Sequence, residues 1–299
     1  MFFLGSAYPL GKFGLNASIN PIMFGALRMV IVFLCLIPFC KIKIPQKKYY
    51  LPLLGFSICM GAGVNMFLYL SLEAASILAP ITIGAQLSIP LAIILSSLFL
   101  SESISFKKWI LIFASFFGII LSSMFRGENI SFKKWILIFT SFFGIVLIAF
   151  DPKISEEILA TLLIFAMAFF YGSSQVFSRY LKELDVKFTN AFMGLVGFII
   201  LIIISHLFEG NVIHQIANIE LNGWLAVLYA GAIISIFGHM MMFYLYKFYP
   251  VGMVLPFYAL FPVFGLILTF LIFGEIPTLI MVTGGIIVIL SVFMLQKIR

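Results

Sequence analysis

Charge is scarce in this chain. Only 10% of its 299 residues are Asp, Glu, Lys or Arg, against about 25% in soluble domains. Hydrophobic residues make up 63%, more than a water-solvated core of this length can bury, so lipid must be the solvent. Cysteine is nearly absent. Cys35, Cys40 and Cys59 lie in or beside apolar runs, which argues for small packing residues and against a disulfide framework. The only histidines, His206, His214 and His239, are not at metal-ligand spacing on one helix. No H-E-x-x-H, no G-x-S-x-G and no pair of intramembrane aspartates occurs, so the enzyme readings fail. Gly61-Ala62-Gly63 is no phosphate loop, because the full signature and a preceding strand are missing. Met1 to Leu10 carries no basic segment of the kind that opens a cleaved signal peptide. Long polar stretches are missing as well, which leaves no room for a soluble domain or a long linker.

What the chain does have is a series of apolar runs, at approximately 2–19, 21–39, 50–72, 74–100, 109–125, 135–150, 158–177, 188–205, 223–246, 251–273 and 277–294. A bilayer core of roughly 30 Å takes about 20 apolar residues of helix. The runs are too long and too continuous for barrel strands, and an open strand edge in lipid would leave backbone groups unpaired. The expectation is an all-α polytopic membrane protein. The first run is weak: it holds Lys12 and Asn16 and looks like the second half of a helix whose beginning is missing. The formal net charge is +7. Its bases sit in short clusters between runs, which argues for positive-inside topology and against nucleic-acid binding.

One segment occurs twice. Residues 104–121 and 130–147 differ only at Ala114/Thr140 and Ile120/Val146, with Glu102 and Glu128 in the same register. Such near-identity reads as a tandem duplication of one helix, not as the weak symmetry of a repeat fold. Lys41, Lys43, Lys47 and Lys48 mark one loop as cytoplasmic, and Arg179, Lys182 and Lys187 mark another. An even number of spans must then separate the two, yet five runs lie between them. Either one copy does not cross in the ordinary way or the second half is inverted; the positive-inside bias favours the first. The exit Ala149-Phe150-Asp151-Pro152 favours the second copy as the original span.

With one copy removed, five runs and five runs remain. The fourth of each half carries a proline and ends on a glutamate: Ser88-Ile89-Pro90 with Ser101-Glu102, and Leu260-Phe261-Pro262 with Gly274-Glu275. Gly5-Ser6, Lys12, Pro21 and Arg28, together with Pro256-Phe257-Tyr258 and Pro262-Val263-Phe264-Gly265, form an ordered set of motifs. This set resembles the EamA-type branch of the drug/metabolite transporter superfamily, with Leu4 where the family usually has Trp. The resemblance implies two inverted five-helix repeats, a ten-helix core with a truncated first helix and one extra helical segment. It divides the chain into 1–125, the first repeat with the first copy; 126–150, the second copy; and 151–299, the second repeat. It implies a secondary transporter of small organic metabolites, amino-acid-like or related, working by alternating access in a bacterial inner membrane, with exporters as its nearest likeness. An inactive or structural polytopic member of the same family is the alternative. No cofactor and no nucleic acid are expected. The partners are a small-molecule metabolite and the bilayer, with the oligomeric state open.

Polar groups inside spans are costly and often functional. Lys12 faces either a cavity or an interface. Asn65 and Gln86 are mid-run amides that must pair with a helix or with substrate. Tyr171, Ser174 and Gln175, with Ser173, form the best polar patch of the second half. His239 is a candidate for substrate binding or proton carriage. Tyr258 lies on a proline-broken helix that the family uses for its cavity. These eight are the candidate substrate-binding residues. Arg28 reads as a headgroup or interhelical anchor more than a substrate contact, and Glu102 and Glu275 as helix-end residues. Gly61 and Gly63 suit close helix approach. The mostly uncharged candidates argue against a substrate of large net charge.

Overall fold

A computed structural model describes residues 2–40, 45–88, 158–245, 247–249 and 261–279, with isolated positions 91, 92, 95, 140, 282, 283, 286, 287, 290 and 294. The duplicated segment apart from Thr140, Glu102, Pro90 and Tyr258 lie outside the described residues. Every regular element described is helical. We label them α1 (Phe2–Gly5), α2 (Ala7–Leu15), α3 (Pro21–Phe39), α4 (Lys47–Ala74), α5 (Leu78–Gly84), α6 (Ile158–Tyr180), α7 (Val186–Phe208), α8 (Val212–Ala217), α9 (Leu221–Leu245) and α10 (Phe261–Phe273). Five of them, α3, α4, α6, α7 and α9, are long and apolar enough to cross a membrane. The expected all-α polytopic class is therefore what the described residues adopt. The short helix α8, outside any apolar run, forms because the Asn211 carboxamide accepts from the Ile213 N–H at 2.9 Å and so caps its first turn.

Small residues let the long helices approach. α7 packs along α3 and crosses α4. At the second crossing a Cβ on Gly197 would stand 2.9 Å from the Gly61 backbone, and one on Gly61 would stand 2.7 Å from the Met193 carbonyl. Gly194 is equally tight against the Met29 carbonyl and the Phe33 N–H of α3. Gly63 packs under the Phe170 ring. Lipid offers no hydrophobic drive between helices, so contact at backbone distance is what holds such helices together.

The ends of the helices divide into two faces. At one lie Glu73, Glu209, Glu220 and Glu275, with Lys12 among them. The Glu209 carboxylate accepts from Ile22 N–H at 2.6 Å and Met23 N–H at 2.9 Å, capping α3, and from the Ser205 hydroxyl at 2.7 Å. Glu275 does the same for α5, accepting from the Leu78 and Ala79 N–H groups at 2.9 Å each. Both carboxylates satisfy donors that a helix start leaves orphaned, and both sit at the positive end of the helix dipole. The helix-end role expected of Glu275 takes this form. Lys12 works at the opposite pole: its Nζ donates to the carbonyls of Leu72 and Ala75 at 2.8 Å, just past the end of α4.

The other face is basic. Lys48 pairs with Glu183 at 3.6 Å, the Tyr49 hydroxyl donates to the same carboxylate, and Lys187 lies over the Phe39 ring. The Tyr49 hydroxyl, and then Lys48, hold the Glu183 carboxyl below its ordinary pKa. Lys247 donates to the Leu184 carbonyl at 2.6 Å and Arg179 to that of Tyr249 at 3.4 Å. The loops at 45–49, 181–187 and 247–249 therefore meet at one end of the bundle.

Gly197→Ala tests the backbone crossing. Overpacking of this kind costs about 1–3 kcal/mol, so the purified variant in detergent should unfold several degrees below the parent. Gly84→Ala, whose added Cβ would meet only a methyl of Ile164 at 3.3 Å, should unfold close to it. Equal melting of Gly197→Ala and parent would contradict the packing account.

Candidate functional site

Two of the long helices are not regular throughout. α4 widens to i→i+5 turns over Ser57–Gly63, and α9 does so over Tyr229–Met240. A widened turn lets carbonyls reach side chains that a regular helix would keep from them, and such turns gather at functional sites. Here they do so twice. The Asn65 carboxamide donates through Nδ2 to the carbonyls of Met60 at 3.0 Å, five residues back, and Gly61 at 2.9 Å. The Ser235 hydroxyl donates to the Ala230 carbonyl at 3.0 Å, again five residues back.

Between these two segments lies a small central cavity, walled by α1, α2, α3, α4, α6, α7 and α9. Arg28 of α3 enters it, 3% exposed. Its Nε donates to the Ser235 hydroxyl at 3.0 Å and its Nη1 to the Tyr69 hydroxyl at 3.2 Å. Among the described residues no carboxylate pairs with this guanidinium. A buried cation normally demands a partner anion, and Arg presents five donors in a fork that matches a carboxylate. The other polar groups of the cavity are neutral. Asn65 Oδ1 and His239 Nδ1 are both buried, with no hydrogen-bond partner among the described residues. The two carbonyls that hold Nδ2 fix the orientation of the Asn65 acceptor. The Tyr171 and His239 rings stand 6.0 Å apart, and Met29, Met60, Met167 and Met193 supply adaptable apolar wall.

Of the candidate residues from the sequence, Asn65, Tyr171 and His239 line this cavity. Lys12 is at the acidic face on the end of α4. Ser174 and Gln175 are buried beside the cavity: Ser174 donates to the Tyr171 carbonyl at 2.6 Å, and Gln175 Nε2 donates to the same carbonyl at 3.2 Å. Gln86 is buried with both amide atoms unpaired among the described residues. Tyr258 lies outside the described residues. Arg28, Ser235 and Asn190 complete the lining, and sequence reasoning had not assigned them to it. An arginine in a run that holds no acid was the one available signal; Ser235 and Asn190 gave none, since short polar side chains are common in membrane helices.

Comparison with known proteins agrees with this architecture. The profile of the EamA-like transporter family matches residues 1–124 and 158–296, and leaves between them the stretch that holds the second copy of the duplicated segment. No curated protein matches the chain. Among the solved structures that do match, one crystal structure at 17% identity superposes with a TM-score of 0.58 over 99% of this chain and 97% of its own. This likeness extends to the fold alone. A family match over most of the chain, around a buried cavity between membrane-length helices, settles the class: this multi-pass membrane protein belongs to the EamA-like transporter family, a family of small-molecule transporters and not of enzymes.

Proposed function

We propose that the protein is a secondary carrier of small organic carboxylates, amino-acid-like solutes among them, and that it binds them in the central cavity. Arg28, buried and without a carboxylate partner among the described residues, carries this reading. A solute carboxylate would take the guanidinium donors left free by Ser235 and Tyr69, and a solute amine would find neutral acceptors at Asn65 Oδ1 and His239 Nδ1. The methionines and Tyr171 would pack its apolar part. Lys12, Gln86, Ser174 and Gln175, which do not line the cavity, then belong to the helices and helix ends around it. A site with a single positive charge among mostly uncharged residues suits a monoanion or a zwitterion.

The carrier works by alternating access between two inverted halves, with the basic face in the cytoplasm of a bacterial cell and the acidic face outside. Several features support this. Widened turns occur in both α4 and α9. Lys12 and Arg179, each seven residues after the glycine of a Gly-Ser pair, both bond a carbonyl beyond the end of a distant helix, Ala75 and Tyr249. The contact of Lys48 with Glu183 brings the loops on either side of the duplicated region to one face, which calls for an even number of crossings between them. Helices α4 and α6 are two of these, and the runs at 74–100, 109–125 and 135–150 are three more. One copy of the duplicated segment therefore does not cross. An inactive member of the family remains the second reading, favoured by that surplus segment.

In proteoliposomes, labelled phenylalanine should show saturable counter-flow and its amide, which has no carboxylate, should not. A lost charge-assisted hydrogen bond is worth about 1.5–3 kcal/mol, so Arg28→Gln should lower the flux about tenfold or more and Ser235→Ala less. Equal carriage of acid and amide would overturn the Arg28 assignment, and no saturable flux across a panel of neutral amino acids and monocarboxylates would favour the inactive reading.

Topology has its own check. Reporters fused after Lys187 and after Arg299 should both give cytoplasmic signal, and deletion of 104–129, which removes one copy, should leave both signals and membrane insertion unchanged. Periplasmic signal at both sites would rule out a non-crossing copy.

A further inference from the structure

A second, smaller cavity lies between the central cavity and the basic face. Its walls include Ser178, Thr189, Lys182 and Lys247 together with two aromatic side chains, Phe56 and Phe243. Asn190 lines both cavities, so the two are adjacent. Phe56 stands one turn before Met60 on α4, and Phe243 one turn after His239 on α9; Met60 and His239 face the central cavity. The two phenylalanine rings meet edge to face, 5.1 Å apart at 85°, and both are buried. This pair spans from one widened helix to the other and stands between the cavities. On the basic side of it, no acidic side chain among the described residues lines the wall. Lys247 Nζ uses one proton on the Leu184 carbonyl, leaving two, and Lys182 is exposed. The nearby acids are engaged elsewhere: Glu183 with Tyr49 and Lys48, and Asp185 as acceptor for the Lys187 N–H at 2.9 Å.

We propose that this smaller cavity is a loading subsite for small organic carboxylates at the basic face, and that the Phe56–Phe243 pair is the gate between it and Arg28. The inference rests on the reading of the central cavity as the carrier site. Two lysines draw the anion in, and the neutral partition above them lets it pass only when an aromatic ring turns aside. The path then leads past Asn190 to the buried guanidinium.

Thiol labelling tests this without requiring transport. Cys35, Cys40 and Cys59 are replaced by Ser, and a single cysteine is introduced as Val64→Cys in the central cavity or Ser178→Cys in the smaller one. Membrane-impermeant methanethiosulfonates, one anionic and one cationic, are applied from either side of oriented vesicles. Ser178→Cys should label from the basic-face side, several-fold faster with the anionic reagent, and Lys182→Gln with Lys247→Gln should abolish that preference. Val64→Cys should label slowly from that side, and Phe56→Ala with Phe243→Ala should speed it at least tenfold from that side alone. The milder Phe56→Leu with Phe243→Leu should give a smaller increase in the same direction, and Ser178→Cys labelling in each background reports that the protein is folded. Equal rates for the two reagents, or no labelling of Ser178→Cys at all, would overturn the subsite. Acceleration from both sides, or from neither, would overturn the gate. Absence of flux alongside the expected labelling would refute the carrier reading and leave the subsite and gate standing.

Discussion

Helix ends in a membrane bundle have few places to find partners, and the architecture depends on solving that problem. Within lipid each unsatisfied backbone group costs several kcal/mol. Interior N–H and C=O groups bond along the helices, but the first and last turns cannot. Here side chains from distant segments serve them. Glu209 reaches the start of α3 and Glu275 the start of α5, while Lys12 reaches the carbonyls that close α4. Each of these contacts ties the end of one span to the end of another. The short loops are thus held by charge placed on helix dipoles, and surface ion pairs contribute only the single pair Lys48–Glu183 among the described residues.

This arrangement leaves the centre of the bundle free for a different purpose. Helices α3, α4 and α7 meet at Gly61, Gly194 and Gly197, close enough that no Cβ fits. The contact at Gly61 falls inside the widened segment of α4, and the cavity lies between that segment and the widened one of α9. The wider turns offer carbonyls that pin Asn65 and Ser235, which in turn hold an acceptor and the Arg28 guanidinium in place. Glycine contacts at backbone distance and widened turns thus occur in the same helices, beside one cavity.

The neutral rings Tyr171, His239, Phe243 and Phe56 follow one another from the cavity toward the basic face, with centroid separations of 6.0, 6.5 and 5.1 Å. Charge is found only at the two ends of this row, Arg28 above and the lysines below. A polar solute passing such a row would exchange one cationic partner for another across a short neutral stretch.

Much of this was legible in the chain. Span positions follow from run length, because bilayer thickness sets helix length. The all-α class follows from the need to satisfy backbone groups in lipid, the two faces from the clustering of lysine and arginine, and the close approach at Gly61 from glycine in an apolar run. The family resemblance came from the order of Gly5, Lys12, Pro21, Arg28 and the Pro262 segment. The use of each polar residue was not legible. Lys12 and Arg28 look alike in sequence, one cation in each of two neighbouring runs, yet Lys12 ends at a helix terminus and Arg28 in the cavity. Helix rotation and depth decide that difference, and both are set by packing against α4, α7 and α9, hundreds of residues away in some cases. Nor does a hydrophobic pattern encode a widened turn, since the composition of Ser57–Gly63 resembles any other stretch of small membrane residues. Sequence alone marked the five described helices that are long and apolar enough to cross a membrane, because lipid reads composition locally. Only the tertiary structure decided which side chains meet, because contacts between helices depend on relative rotation that no single run contains.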